Sequence, residues 1–150
     1  MKLFGTDGIR GPANILLTPA LSFDIGAFLG QYQKKNKILI AYDTRRSGMV
    51  IFSSLVAGIL SSGGDASSIG VAPTPALAYL CKKYNYDYGI MISASHNPFP
   101  DNGIKIFDTN GFKIAESVQT EIEKYLLSDM RLGLKTGSEI GNFTDNSALL

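Results

Sequence analysis

Short apolar, β-rich runs alternate along the chain with stretches of helical period, the pattern of βαβ units stacked on a largely parallel sheet. The first helix starts at Thr18-Pro19, where threonine suits the cap and proline the first helical position. Leu21, Ile25, Phe28, Leu29 and Tyr32 form its core stripe. Lys34, Lys35 and Lys37 follow, and at a helix C-terminus such a cluster complements the dipole sooner than it grips an anion. KILIAYD at 37–43 reads as a strand buried on both faces, with Asp43, Thr44 and Arg45 at the edge where parallel sheets present chemistry. Residues 47–62 form a helix apolar nearly all round, expected to be largely buried, and 66–71 a further strand.

Thr74-Pro75 repeats the cap-plus-proline device for a helix that places Leu77, Leu80, Cys81 and Tyr84 on one face, which makes Cys81 a core residue. Residues 88–93 form another buried strand. The next segment, Ala94-Ser95-His96-Asn97-Pro98-Phe99-Pro100-Asp101-Asn102-Gly103, is a loop shaped by its prolines and an Asn-Gly pair. A hairpin between 104–108 and 112–114 turns at Thr109-Asn110-Gly111, so the sheet is mixed. A last helix at 116–127 carries Val118, Ile122, Tyr125 and Leu126. Beyond Ser128 the pattern dissolves around Gly133, Gly137 and Gly141. The expectation is an α/β three-layer domain, a mixed but largely parallel sheet between helices, over residues 1–128. Residues 129–150 read as a linker or the start of a next domain.

Composition narrows the function. At 150 residues and 45% hydrophobic the chain can bury a core, and a formal charge of +1 gives no footprint for nucleic acid or an anionic membrane. No apolar run reaches the ~18 residues of a membrane span. The N-terminal MKLFGTDGIRG is not a signal peptide, and one cysteine makes no internal disulfide, so the default compartment is cytoplasmic. The nearest P-loop attempt, Gly58 to Gly63, has Gly64 where lysine belongs. Gly5, Gly8 and Gly11 precede the first clear strand and make no dinucleotide fingerprint.

What remains suits phosphate. Arg10 sits in the tight TDGIRG turn and offers a bidentate fork; Arg45 either pairs with Asp43 or contacts a ligand. Ser95 follows a buried strand among small residues. A free serine hydroxyl needs activation, for which His96 and Lys105 are at hand unless they are plain surface residues.

FGTDGIRG at 4–11, DTRRSG at 43–48 and ISASHNPFPDNGIKIF at 92–107 together resemble the α-D-phosphohexomutase family, and the loop fits its glucosamine branch better than its mannose and glucose branches. The resemblance runs to about Leu127. It implies a four-domain enzyme in which Ser95 carries phosphate and also ligates Mg²⁺. Lys105 matches a lysine of proton transfer or charge stabilisation, Arg10 an arginine near the phosphoserine, and His96 a residue that shapes the site. Asn97 and Arg45 join Arg10 as candidates for holding phosphate. The implied reaction interconverts glucosamine 6-phosphate and glucosamine 1-phosphate through a 1,6-bisphosphate, feeding amino-sugar precursors to the cell wall. A mannose or glucose phosphate substrate and a non-catalytic phosphate-binding module are the alternatives. The family's D-G-D-x-D and G-E-x-S-G segments do not occur in these residues. The implied partners are therefore a phosphorylated hexosamine and the missing domains of the same polypeptide. The chain alone is expected to be inactive, with a mobile Ser95 loop.

Overall fold

The structure, a computed structural model, describes residues 2–150. Its strands are β1 (Ile9–Pro12), β2 (Lys37–Tyr42), β3 (Asp65–Val71), β4 (Tyr88–Ile92), β5 (Asp101–Asp108) and β6 (Phe143–Asp145). Its α-helices are α1 (Pro19–Gln31), α2 (Gly48–Ser61), α3 (Thr74–Lys83) and α4 (Glu116–Leu127). The strands make one sheet in the order β1-β5-β4-β2-β3-β6. β4, β2, β3 and β6 run parallel, and β5 is antiparallel to both β4 and β1.

Alternation along each strand divides the apolar side chains between two faces. Ile38, Ile40, Ile90, Ile92, Ile104 and Ile106 point to one face, where they meet Ile25, Phe28 and Leu29 of α1, Ile51, Leu55 and Ile59 of α2 and Ile122 of α4. Leu39, Ala41, Met91 and Phe107 point to the other and pack on Leu77, Leu80 and Cys81 of α3. The expected three layers follow from this division. Thr18 caps α1 as expected, its Oγ1 accepting the Leu21 amide at 3.1 Å.

The structure departs from the sequence reading at several elements. β1 was not anticipated, because Ile9-Arg10-Gly11-Pro12 has strand character only when β5 lies beside it; it pairs with β5 from Ile9 opposite Ile104 to Pro12 opposite Asp101. The hairpin turn at Thr109-Asn110-Gly111 forms, with Gly111 at φ +80° and the Asp108 amide donating to Phe112 O at 2.7 Å. Its return arm is short, bridging at Phe107 and Lys113 with the Ile114 amide donating to Ile106 O at 3.1 Å, and β5 pairs with β1 over 101–104 and with β4 over 104–108. α2 is not buried all round: Ile51, Leu55, Gly58 and Ile59 face the sheet and α1 and Phe52, Val56 and Leu60 pack half-buried beside them, but Met49 and Val50 are 50% and 39% exposed. α3 starts at Thr74 itself, with Pro73 in the cap position and no side-chain cap bond. Residues 129–150 return along the sheet, and Phe143–Asp145 pairs in parallel with β3.

Candidate active site

β2 and β4 end at one edge of the sheet, and the antiparallel β5 begins there. β1, antiparallel to β5, delivers Arg10 to the same edge, opposite Gly103. Three separated motifs thus converge where open α/β sheets place their ligands.

Ser95 lies in the connection from β4 to β5, exposed, on a left-handed backbone with φ +52°. For a residue with a Cβ this conformation costs about 1–2 kcal/mol, so the surroundings must hold it. They do so through a relay of bonds. The Ser95 amide donates to Ser93 Oγ at 3.0 Å, and the Ser93 hydroxyl donates to Asp43 Oδ2 at 2.8 Å. Asp43 Oδ1 accepts the Arg45 amide at 3.0 Å, closing an Asx-turn after β2.

The Arg45 guanidinium completes the hold. Its Nη1 donates to Pro98 O at 2.7 Å and Asp101 O at 2.9 Å, and its Nη2 to Ser95 O and Asn97 O, both at 2.9 Å. Its Nε lies 3.5 Å from Asp43 Oδ2, and the side chain is only 13% exposed. Of the two roles open to Arg45, pairing with Asp43 is present, and its remaining donors face loop carbonyls.

Arg10 reaches the serine itself. Its Nη2 donates to Ser95 Oγ at 3.3 Å, its Nη1 lies 3.8 Å from Asp7, and its Nε is buried without a hydrogen-bond partner. Asn97 Nδ2 donates to Asp101 Oδ2 at 3.1 Å, and its amide closes a turn onto Ala94 O at 3.0 Å. His96 is exposed and makes no hydrogen bond among the described residues. Lys105 stands on β5 opposite Met91, partly exposed, with Nζ 5.5 Å from the centre of the Phe107 ring. Among the described residues it forms no ion pair and no side-chain bond to Ser95. The structure thus joins Ser95, Arg10, Arg45 and Asn97 directly and brings neither His96 nor Lys105 into a hydrogen bond with them among the described residues.

Ser93 as acceptor for the Ser95 amide, and the carbonyl contacts of Arg45, were not foreseen. The sequence placed Asp43-Thr44-Arg45 at the C-terminal edge of β2 but did not show what the guanidinium would meet. Away from this edge, Lys34 pairs with Asp87 at 2.7 Å, Lys35 with Asp65 at 3.6 Å, and Lys37 lies over the Tyr86 ring, so the basic cluster is held by neighbours. Cys81 is buried, and burial, reinforced by Asp108 and Asp87, pushes its thiol up to about 12. A cavity of about 540 Å³ lined by Gln31, Lys34, Lys35 and Lys135 opens at the opposite end of the sheet, and no candidate site residue lines it.

Residues 1–131 match the sequence model of phosphoglucomutase/phosphomannomutase, alpha/beta/alpha domain I, and the chain belongs to that family. A phosphoglucosamine mutase of Clostridium beijerinckii is 47% identical over 148 residues, 95% of this chain and 33% of that protein. One of Heliobacterium modesticaldum is 49% identical over 132 residues, 85% of this chain and 29% of that protein. The chain therefore spans about a third of the length of the curated relatives it matches. In fold it is similar to a phosphoglucomutase/phosphomannomutase family protein of Burkholderia thailandensis, with TM-score 0.79 and 23% identity over 95% of this chain and 32% of the other. A phosphomannomutase-like structure from Thermus thermophilus gives TM-score 0.74 and 26% identity, covering 95% of this chain and 32% of that one. No helix of the described residues is long and apolar enough to cross a membrane.

Proposed function

We propose that this chain is the phosphoserine-bearing first domain of a cytoplasmic phosphosugar mutase that interconverts glucosamine 6-phosphate and glucosamine 1-phosphate. The observation that carries the proposal is Ser95. Its exposed hydroxyl stands on a held, left-handed backbone and accepts a hydrogen bond from Arg10. The kinship with proteins named phosphoglucosamine mutase supports the choice of sugar.

In this reading phospho-Ser95 gives its phosphoryl group to O1 of glucosamine 6-phosphate. The Ser95 Oγ–P bond breaks as the O1–P bond forms, the O1 proton leaves to a base and a proton is returned to Ser95 Oγ. The resulting 1,6-bisphosphate reorients, its O6–P bond breaks as the Oγ–P bond re-forms, the Ser95 hydroxyl proton leaves and O6 takes one up, and glucosamine 1-phosphate is released. Such transfer depends on positioning and charge neutralisation. Arg10 suits this role because its orphaned Nε–H lies beside a guanidinium nitrogen already on Ser95 Oγ, and a phosphate there offers that donor an acceptor. We assign Lys105 to proton transfer or charge stabilisation, Asn97 and Arg45 to the phosphate-holding loop, and His96 to the shape of the rim.

Magnesium takes oxygen ligands in near-octahedral geometry. Among the described residues no three His, Cys, Asp or Glu side chains gather as such an ion needs, and Asp43 and Asp101 are engaged with Ser93, Arg45 and Asn97. The residues fit one ligand position, the phosphate on Ser95, so the other ligands belong to further domains of the same polypeptide. When bound, Mg²⁺ would offset charge on the transferring phosphoryl group. We place the phosphoserine domain at 1–128, with 129–150 leading toward those further domains after Phe143–Asp145 has added an edge strand to this sheet.

The test is Ser95→Ala in the longer protein that carries this domain, assayed on glucosamine, mannose and glucose phosphates in parallel. Loss of turnover with an intact fold supports the reading. A variant that keeps most of its rate removes Ser95 as carrier, and a preference for mannose or glucose phosphate corrects the sugar.

A further inference from the structure

We infer that Arg45 is a positioning residue: it binds the Ser95 loop rather than the sugar phosphate, and so fixes where the phosphate-carrying oxygen stands. The inference rests on Ser95 being the carrier. Four carbonyl oxygens, of Ser95, Asn97, Pro98 and Asp101, converge on the two terminal nitrogens of one guanidinium. Asp43 holds the third nitrogen from behind. Carbonyls within one short loop repel each other when aimed at one point, and a planar cation with forked donors is the side chain that removes that cost. The same Asp43 receives the Ser93 hydroxyl that takes the Ser95 amide. The left-handed Ser95 backbone is therefore gripped at its N–H through Ser93 and at its C=O by Arg45. Two prolines, Pro98 and Pro100, stiffen the rest of the loop. With every nitrogen of the guanidinium engaged, Arg45 has little left to offer a substrate phosphate.

Hydrogen exchange on the 150-residue chain and steady-state kinetics on the longer protein test this together, using Arg45→Lys, Arg45→Ala and Ser93→Ala. The Asn97 and Asp101 amides, which close turns onto Ala94 O and Pro98 O, and the Ser95 amide report on the loop. In both Arg45 variants they should exchange roughly tenfold faster or more, while Leu39 and Ile90 in the sheet stay protected. Lysine should not rescue, because an ammonium cannot reproduce the fork. Ser93→Ala should speed exchange at Ser95 alone. In the kinetics, kcat should fall about 10–100-fold with KM little changed. Unchanged loop exchange in Arg45→Lys, or a raised KM at constant kcat, overturns the inference, the second by making Arg45 a substrate contact. If Arg45→Ala fails to fold, Arg45→Lys and Ser93→Ala carry the test. Should Ser95→Ala keep its activity, the mutase reading fails, and the exchange result separates that failure from a failure of the grip.

Discussion

Gly103→Ala pushes on the site from beneath. Gly103 is buried in β5 between β1 and the end of β4. A Cβ built there would stand 2.5 Å from Ser93 O, 3.0 Å from Arg10 Cγ and 3.2 Å from Ile9 O. The first contact is roughly 1 Å short of ordinary van der Waals separation. It is with backbone on the far side, so the strands must part or tilt. Overpacking of this kind costs about 1–3 kcal/mol, and the lower entropy of the unfolded alanine chain returns about 0.4–1 kcal/mol. The net loss is about 1–2 kcal/mol. At about 2–4 °C per kcal/mol for a chain of this size, the thermal midpoint should fall by roughly 2–8 °C. Gly133→Ala is the matched control, because a Cβ there meets nothing within 4 Å; its midpoint should stay put or rise slightly. Both are read by thermal unfolding monitored by circular dichroism. Since Ser93 and Arg10 hold and contact Ser95, Gly103→Ala should also speed amide exchange at Ser95. A Gly103→Ala chain that melts at or above the parent temperature would refute the packing described for this edge.

Thr18→Ala removes the acceptor of the Leu21 amide and should cost about 1 kcal/mol in urea unfolding, whereas an unchanged midpoint would dismiss the cap. Ser95→Gly should be more stable than Ser95→Ala by roughly 1 kcal/mol, because glycine adopts φ +52° without the Cβ penalty that alanine keeps; equal midpoints would show that the left-handed conformation is not held in solution. The Cys81 thiol is raised from 9.0 to about 12, so the folded chain retains a proton that the unfolded chain gives up above pH 9. Its contribution to stability is full below that pH and is lost as pH climbs toward 12. The urea midpoint of the parent should fall faster over this window than that of Cys81→Ala. Native Cys81 should also resist alkylation that succeeds after unfolding, and rapid native labelling would contradict its burial.

Local signals carried much of the fold. The Thr18-Pro19 cap, the continuous apolar strands β2 and β4, and the helical stripes of α1, α3 and α4 all belong to segments whose pattern is long enough to read alone. β1 and the start of β5 were hidden because Gly11, Pro12 and Asp101-Asn102-Gly103 have turn chemistry, and only mutual pairing makes them strands. The buried Asn102 shows the conflict: its side chain bonds Ser47 Oγ and the Gly103 amide, satisfying a residue that sequence places in a turn. At the site, Ser95 and Arg10 were legible as phosphate-handling types. The Arg45 grip was not, because its acceptors are main-chain oxygens 50 to 56 positions along the chain and leave no mark in residue type. The expectation of a mobile Ser95 loop came from its absent ligands and did not include these bonds.

The central claim is that Ser95 carries the phosphate, and phosphopeptide mapping of the longer protein after incubation with glucosamine 1,6-bisphosphate tests it most directly. The account predicts one phosphoserine, at Ser95, that disappears in Ser95→Ala together with turnover. Phosphate on a different residue, or sustained turnover with Ser95 unmodified, would contradict it.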